Sequence, residues 1–172
     1  MPRFRYGAPL SVRAARLIHR VLGAARFRIR KAYVAASSRV QEIWYGIDTY
    51  VPSGSNTPLF EDDVGYEPTK FAAIRTTMRL VPPREDDVFY DVGCGEGRVL
   101  CLYARRRLKR CVGVERATHL AAKAIQNANR MRGRRTPIQV LNADATSVDF
   151  RESTYLFFYN PFGEETMRTV IE

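Results

Sequence analysis

Residues 88–97 read VFYDVGCGEG, an apolar run that reaches the carboxylate of Asp91 and then places three glycines at alternate positions. Gly93, Gly95 and Gly97 can adopt positive φ, and they let a ligand approach the backbone closely. The helix expected next would offer free N–H groups to the same ligand. A nucleotide-like ligand is one interpretation of this turn, and tight packing between a helix and a strand is the other.

The spacing of the glycines bears on the charge of such a ligand. A dinucleotide site uses GxGxxG, so that a pyrophosphate rests on the helix N-terminus. Here the spacing is GxGxG, and Asp91 directly precedes it. A fixed negative charge at this place would repel a diphosphate and attract an amine or a sulfonium. S-adenosylmethionine carries both cations and no phosphate, so the stretch favours this compound.

Two further acids follow later apolar runs. Glu115 ends CVGVE, where a carboxylate can accept hydrogen bonds from both hydroxyls of a ribose. Asp144 and Ala145 belong to NADA at 142–145, and the Asp144 carboxylate could accept the amino group of adenine. Either acid could instead be a surface residue at the end of a strand. Together with Asp91 they predict an adenosine site along one edge of a sheet.

The stretch YNPF follows the last apolar run and would face the methyl group of the cofactor. Asn160 and Pro161 offer an amide oxygen and a carbonyl that could orient a nucleophilic amine, and Phe162 offers an aromatic face for a base or a cationic chain. These residue types suit N-methylation. The alternative is that Asn-Pro only makes the turn after the strand.

Short apolar runs alternate with helical patterns, which predicts βαβ units and a parallel sheet of an α/β domain. The carboxyl ends of parallel strands meet at one edge, so the acids would converge there. YLFFY at 155–159 is predicted as a fully buried strand. The predicted strands are 88–92, 111–115, 138–141 and 155–159, and the predicted helices are 98–107, 117–131 and 69–80, the last with Thr69 as its cap.

The first 41 residues contain ten of the 28 Lys/Arg and no acid, which leaves 18 bases against 18 acids elsewhere. Residues 10–41 form a predicted amphipathic helix. The predicted organisation is a basic helical arm at 1–45, a loop at 46–65 and a cofactor domain at 66–172. The arm could dock on its own domain, contact an anionic membrane surface, nucleic acid or an acidic partner, or serve as a mitochondrial transit peptide.

Bulk composition sets further limits. A chain of 172 residues with 45% apolar content suits one domain with an appendage. Three cysteines without zinc-ligand spacing predict reduced thiols, an intracellular protein and no metal site. No apolar run approaches the ~20 residues that cross a bilayer. The basic balance lies in the arm, so any case for nucleic acid or an anionic surface would depend on the arm alone.

These motifs together resemble those of the class I S-adenosylmethionine-dependent methyltransferases. DVGCGEGRV resembles the first motif of that family, GVE the second, NADA the third and YNPF the fourth. With YEPT at 66–69, the set is similar to small bacterial relatives of mitochondrial protein-lysine methyltransferases.

The resemblance implies a Rossmann-like parallel sheet with strand order 3-2-1-4. The family has three more strands after the fourth motif, so the sequence leads us to expect a truncated form or a sheet completed from elsewhere. The resemblance also implies that S-adenosyl-L-methionine is bound by one set of residues and that the acceptor faces another. The first set is Tyr66, Thr69, Asp91, Gly93, Gly95, Gly97, Glu115, Asp144 and Ala145, and the second is Asn160, Pro161 and Phe162.

The implied activity is methylation of a nitrogen, most simply a protein lysine. Two alternatives stay open, namely methylation of an amino group on nucleic acid and a non-catalytic cofactor-fold module that binds a partner. NPF resembles the NPPF-like turn of nucleic-acid enzymes but has one proline instead of two. The expected compartment is the cytoplasm, or the mitochondrion in a eukaryote.

Overall fold

A computed structural model of the protein describes residues 12–51 and 66–172, without the side chains of residues 12–23, 25 and 31. Sequence predictions for residues 1–11 and 52–65 therefore lie outside the described residues. The chain divides into two compact units, one that ends at Ser37 and one that spans Ser38–Glu172. The elements are α1 (Val12–Tyr45), α2 (Phe71–Leu80), β1 (Val88–Val92), α3 (Arg98–Tyr103), β2 (Arg110–Glu115), α4 (Thr118–Arg130), β3 (Ile138–Asn142), a 3₁₀ turn (Ala145–Ser147), β4 (Tyr155–Phe158) and α5 (Glu164–Ile171).

The four strands form one parallel sheet in the order β3-β2-β1-β4, which confirms the expected α/β architecture. The strand register pairs Asp91 with Gly113 of β2 on one side and with Phe157 of β4 on the other. The carboxyl ends of all four strands therefore lie at one edge. At this edge the chain leaves the sheet through the segments that carry the predicted site residues.

Side chains of β1 alternate between two apolar layers. Phe89 faces the layer that α2 and α3 cover, where its ring stacks on Tyr103 with centroids 3.9 Å apart. Tyr90 and Val92 face the opposite layer, which includes Phe158 of β4. The central strand β1 is buried along its whole length, so its continuous apolar run has a direct physical reason.

Strand β4 differs from the prediction of a fully buried strand, because all four of its residues are half-buried. It occupies the edge of the sheet among the described residues, and one flank lacks a neighbouring strand there. An apolar run does not distinguish an edge strand from a central one, which explains why the prediction was wrong.

Helices α2, α3 and α4 are shorter than predicted, and α4 loses only one residue at each end. Helix α3 ends at Tyr103 instead of residue 107, because the chain tightens into turns in which the Arg106 N–H donates to the Tyr103 carbonyl at 2.8 Å. Helix α2 begins at Phe71, and Lys70 is its N-cap without a side-chain hydrogen bond. Thr69 is therefore not the cap. It is buried, and its carbonyl accepts a hydrogen bond from Arg98.

Candidate functional site

A cavity opens at the carboxyl ends of the strands, and we call it the strand-end cavity. Its lining includes ten of the twelve predicted site residues, which are Tyr66, Thr69, Asp91, Gly93, Glu115, Asp144, Ala145, Asn160, Pro161 and Phe162. The parallel sheet thus brings together side chains from four strand ends and from the segment before α2. Their roles toward a ligand stay predictions.

Gly95 and Gly97 do not line the strand-end cavity, and their role in cofactor binding stays a prediction. A Cβ on Gly95 would lie 2.1 Å from Cε2 of Tyr66, so the tyrosine ring covers this glycine. Gly97 caps α3 with φ 81°, and a Cβ there would lie 3.2 Å from Cβ of Ala124. These two glycines allow close packing of neighbouring elements, which was the alternative interpretation of the turn.

Gly93 lies in the glycine turn, residues 93–97, and packs against the turn after β4, residues 159–162, which we call the acceptor turn. Its φ is 74°, and an added Cβ would lie 2.5 Å from Cβ of Pro161. Only a residue without a side chain leaves room for this contact and adopts the left-handed backbone without strain. The two predicted halves of the site are therefore packed directly against each other.

Asp91 is the most unusual group in the strand-end cavity. The residue is only 3% exposed, and its Oδ2 atom has no hydrogen-bond partner among the described residues. Burial raises the pKa of the Asp91 carboxyl to about 7, the Glu115 carboxylate adds to the rise, and the Leu100 backbone N–H opposes it. A buried acceptor without a donor is costly for the protein alone. A cationic ligand would remove that cost.

Glu115 holds the base of the cavity in place. Its Oε2 atom accepts from the Gly95 N–H at 2.8 Å, and its Oε1 atom accepts from the Ala117 N–H at 2.8 Å. The carboxylate thereby connects the glycine turn to the start of α4.

Asp144 caps the 3₁₀ turn that follows β3. Its Oδ1 atom accepts from the Thr146 N–H at 3.0 Å and from the Thr146 hydroxyl at 2.7 Å. Arg116 Nε lies 3.5 Å from the other carboxylate oxygen. The hydrogen bond from the Thr146 hydroxyl is the main cause that lowers the pKa of Asp144. Asp144 is therefore ionised at neutral pH. The buried Ala145 provides an apolar part of the cavity wall beside it.

The turn after β4 has an unusual backbone at Asn160. This residue is the one described non-glycine with positive φ, at 46°. Its side-chain amide has no hydrogen-bond partner among the described residues, and it lines the cavity. Phe162 packs partly against the apolar layer of Val92 and Phe158. The turn thus presents a free amide on a backbone that asparagine tolerates better than most residues.

Arg98 is a buried residue of the site region that sequence reasoning missed. Its guanidinium donates to Glu42 Oε1 at 2.9 Å, to Thr49 Oγ1 at 2.7 Å and to the Thr69 carbonyl at 3.2 Å. It also lies over the Phe71 ring, 4.6 Å from the centroid. The arginine directly after the third glycine was the available signal, but its partners are distant in sequence.

The contacts of Arg98 bind the end of α1 to the rest of the unit that spans Ser38–Glu172. Glu42 is 1% exposed, and its carboxylate also accepts from the backbone N–H and hydroxyl of Thr49. Residues 38–45, which the sequence analysis assigns to the arm, belong to this unit. Through the Thr69 carbonyl, Arg98 fixes the segment that carries Tyr66 and Thr69 to the cavity.

The three cysteines offer no metal site. Cys94, Cys101 and Cys111 are free and buried, and burial raises the pKa of the Cys101 and Cys111 thiols to about 12. Within residues 12–51 and 66–172, no cluster of His, Cys, Asp and Glu is arranged to hold a metal ion. The described helices also include none with the length and apolarity needed to cross a bilayer.

Comparison with known proteins agrees with this geometry. Residues 90–159 match a family model described as a methyltransferase domain. A protein-lysine N-methyltransferase of Saccharolobus islandicus (strain REY15A) is 29% identical over 99 residues, which are 56% of this chain and 60% of the relative. The chain thus spans 60% of the length of this curated relative.

Two solved structures are also similar to this chain. An RNA methyltransferase from Salinibacter ruber, in complex with S-adenosyl-L-homocysteine, has a TM-score of 0.48 and 30% identity over 52% of this chain and 58% of that chain. A SAM-dependent methyltransferase from Thiobacillus denitrificans has a TM-score of 0.44 and 18% identity over 52% of this chain and 36% of that chain.

The matched region runs from β1 to the end of β4, so it contains the glycine turn, the acid after β2, the NADA turn and the start of the acceptor turn. The sheet that holds these motifs has the strand order that the resemblance implied. Residues 90–159 are thus similar to a methyltransferase domain, and this agrees with the resemblance that the sequence motifs indicated.

Proposed function

We propose that this protein transfers a methyl group from S-adenosylmethionine to the side-chain amine of a protein lysine. The observation that supports cofactor binding best is the buried Asp91 Oδ2 atom without a partner, because Asp91 lines a cavity at the edge where parallel sheets of this kind bind their ligands. The matched family model supports methyl transfer. The name of the Saccharolobus relative supports lysine as the acceptor.

The residues of the strand-end cavity fit this cofactor in charge. Asp91 and Glu115 would bind its ammonium and ribose groups, and Asp144 with Ala145 would flank the adenine. An ammonium that donates to Asp91 Oδ2 satisfies the orphaned acceptor and keeps the carboxyl ionised. When bound, S-adenosylmethionine supplies an electrophilic methyl group on a sulfonium, which a neutral amine can attack.

Asn160 is the residue best placed to orient the acceptor. Its amide oxygen can accept an N–H of the incoming amine, and the backbone at φ 46° holds that amide at the cavity. Tyr159 is 39% exposed beside it, and an aromatic face there suits the approach of a lysine side chain. Alignment of the amine and a fixed electrostatic environment would supply most of the acceleration.

The test for catalysis is transfer of tritiated methyl from S-adenosylmethionine into proteins or nucleic acids of a cell extract. We expect label that resists nuclease and is removed by protease, and acid hydrolysis should release it as methyl-lysine. Label that nuclease removes would instead establish the nucleic-acid alternative and overturn lysine as the acceptor.

Calorimetric titration with S-adenosylhomocysteine tests cofactor binding separately. Binding without any incorporation of label would favour the non-catalytic module. Absence of binding to the wild-type chain would overturn the cofactor site itself. An Asn160→Ala variant should keep cofactor binding and lose transfer, whereas Asp91→Ala should lose both.

A further inference from the structure

Two loops at the amino ends of β2 and β3 concentrate positive charge on the edge of the sheet opposite the strand-end cavity. We call residues 105–110 and 130–135 the basic edge. It contains nine bases and no acid, namely Arg105, Arg106, Arg107, Lys109, Arg110, Arg130, Arg132, Arg134 and Arg135. The expectation that basic character lies in the arm alone was therefore wrong. The 18 bases and 18 acids outside the arm sum to zero charge, and this total does not show that nine of the bases are clustered.

Backbone hydrogen bonds hold the two loops together. The N–H groups of Arg135 and Thr136 donate to the Ala104 carbonyl at 2.8 and 3.1 Å. The Leu108 N–H donates to the Thr136 hydroxyl at 2.9 Å, and Leu108 and Thr136 are both buried. The loops are thus anchored to the core, and their charged side chains are displayed from a fixed base.

Most of these bases lack a counter-charge. Within the part of the chain that the structure describes, Arg110 is the one member of the basic edge with a carboxylate partner, Glu152. All of the others except Arg105 are exposed. Like charges at this density repel one another, and an anionic partner would relieve that repulsion.

The last turn of α1 adds an apolar component beside the basic edge. Ile43 is 71% exposed, Trp44 is 69% exposed, and Val40 on the preceding turn is 65% exposed. Glu42 of the same helix faces the interior. Arg132 borders this turn, since its N–H donates to the Tyr45 carbonyl at 2.7 Å and its guanidinium donates to the Ile43 carbonyl at 3.3 Å. Exposed aliphatic and aromatic side chains therefore adjoin the cluster of arginines.

We propose that the basic edge, together with Val40, Ile43 and Trp44, docks on an anionic lipid bilayer. Cations bind the headgroups of such a surface, and aliphatic and tryptophan side chains enter its interface. A nucleic acid would use the arginines and an aromatic ring, but it offers no apolar layer to Val40 and Ile43. The surface composition thus matches a membrane better than RNA.

The position of the basic edge fits this partner. It lies at the amino ends of the strands, and the cavity lies at their carboxyl ends, roughly 15–20 Å away along strands of about 3.3 Å per residue. A bilayer at the basic edge leaves the cavity open to water. The docked protein could accept substrates at the same time.

Trp44 is the sole tryptophan of the chain, so its fluorescence reports on this surface directly. We expect a blue shift of its emission, and quenching by brominated lipid, when the full chain is mixed with phosphatidylglycerol–phosphatidylcholine vesicles. Pure phosphatidylcholine vesicles should give a much smaller change. Added salt should reverse the effect, because it screens the charges.

A matched pair of variants tests the role of the loops. Combined substitution of Arg106, Arg107, Arg134 and Arg135 by Gln should weaken sedimentation with the anionic vesicles by more than about tenfold, since each base near such a surface strengthens binding roughly fivefold. Combined substitution of Lys70, Arg79, Arg151 and Arg168 by Gln removes the same charge from exposed sites elsewhere. This control should sediment nearly as the wild type does, and S-adenosylhomocysteine titration checks that both variants are folded.

Several outcomes would overturn the proposal. Sedimentation without a spectral change at Trp44 would place membrane contact elsewhere in the chain. If both fourfold variants lost vesicle binding equally, net charge and not the position of the bases would explain the binding. A blue shift that depends on protein concentration without vesicles would assign the surface to a second copy, and patch-dependent binding of a labelled RNA without vesicle binding would assign it to nucleic acid.

Discussion

The two ends of the sheet differ in charge, although the same strands connect them. At the carboxyl ends the chain places Asp91, Glu115 and Asp144 around a cavity, and at the amino ends it places nine bases on an open surface. Parallel strands make this separation simple, because every loop of one kind falls at one edge. A near-neutral domain can thus contain two sites of opposite charge.

The charged groups at the two ends also differ in burial. Asp91 is buried without a donor to Oδ2, which costs folding free energy, and a ligand that donates to this atom would remove the cost. The bases of the basic edge are mostly exposed, so each one has little effect on the stability of the fold, and each alone would add little to binding. The cavity therefore depends on single residues, whereas the basic edge depends on their number.

The largest expected effect concerns the buried pair that fixes one wall of the cavity. Arg98→Gln removes the buried counter-charge of the Glu42 carboxylate and leaves it only the half-exposed Arg39 at 3.1 Å, so we expect the free energy of unfolding to fall by about 3 kcal/mol. Arg75→Gln, on the exposed side of α2, should change it by less than about 0.5 kcal/mol. Urea unfolding of both variants measures the difference, and similar midpoints would show that the buried pair is not a main support of this wall.

The next effect separates ligand binding from stability at Asp91. Asp91→Asn removes the anion that a cationic ligand needs, and we expect S-adenosylhomocysteine binding to weaken by about 2–5 kcal/mol in calorimetry. Because the Asp91 pKa is raised from 3.8 to about 7, the ligand-free fold loses stability as the pH rises from about 4 to about 7, and the full cost remains above pH 7. The variant should therefore melt higher than the wild type in alkaline buffer. A variant that loses both binding and stability would contradict this account.

A smaller effect distinguishes the two interpretations of Asn160. Asn160→Gly keeps the left-handed backbone and removes the amide, whereas Asn160→Ala removes the amide and strains the turn. If the amide orients the acceptor, both variants should lose methyl transfer by roughly tenfold to a hundredfold at nearly unchanged cofactor affinity. Full activity in the glycine variant would reduce Asn160 to a turn residue.

The smallest effect is a pH dependence of cofactor affinity. With the Asp91 pKa raised to about 7, protonation below that pH removes the charge that attracts the ligand. We expect binding of S-adenosylhomocysteine to weaken about tenfold between about pH 8 and about pH 6, while Asp91→Asn shows a flat profile. A wild-type profile as flat as that of the variant would contradict the assignment.

Local sequence patterns predicted the interior of the sheet well. Strand β1 has the predicted bounds because its apolar run ends at a glycine turn, and the strand order followed from the resemblance. The motifs also located the cavity, since strand ends of a parallel sheet must meet. Half-burial of β4 was missed, because an apolar run contains no information about how many neighbours a strand has.

What the sequence did not predict depends on residues far apart in the chain. The partners of Arg98 are Glu42, Thr49 and Thr69, which lie 29–56 residues earlier in the chain, so no local pattern connects them. The basic edge exists only because β2 and β3 are neighbours, which brings two loops together. Gly95 and Gly97 have the spacing of ligand-binding glycines, but the space beside them is filled by Tyr66 and Ala124.

The contact between Gly93 and Pro161 limits how the strand-end cavity could change. Because no side chain fits between them, the donor loop and the acceptor turn cannot be adjusted independently. A change of acceptor would have to come from residues that border this contact, such as Tyr159 and Phe162. Substitutions that alter acceptor selectivity are therefore expected around this contact and not at it.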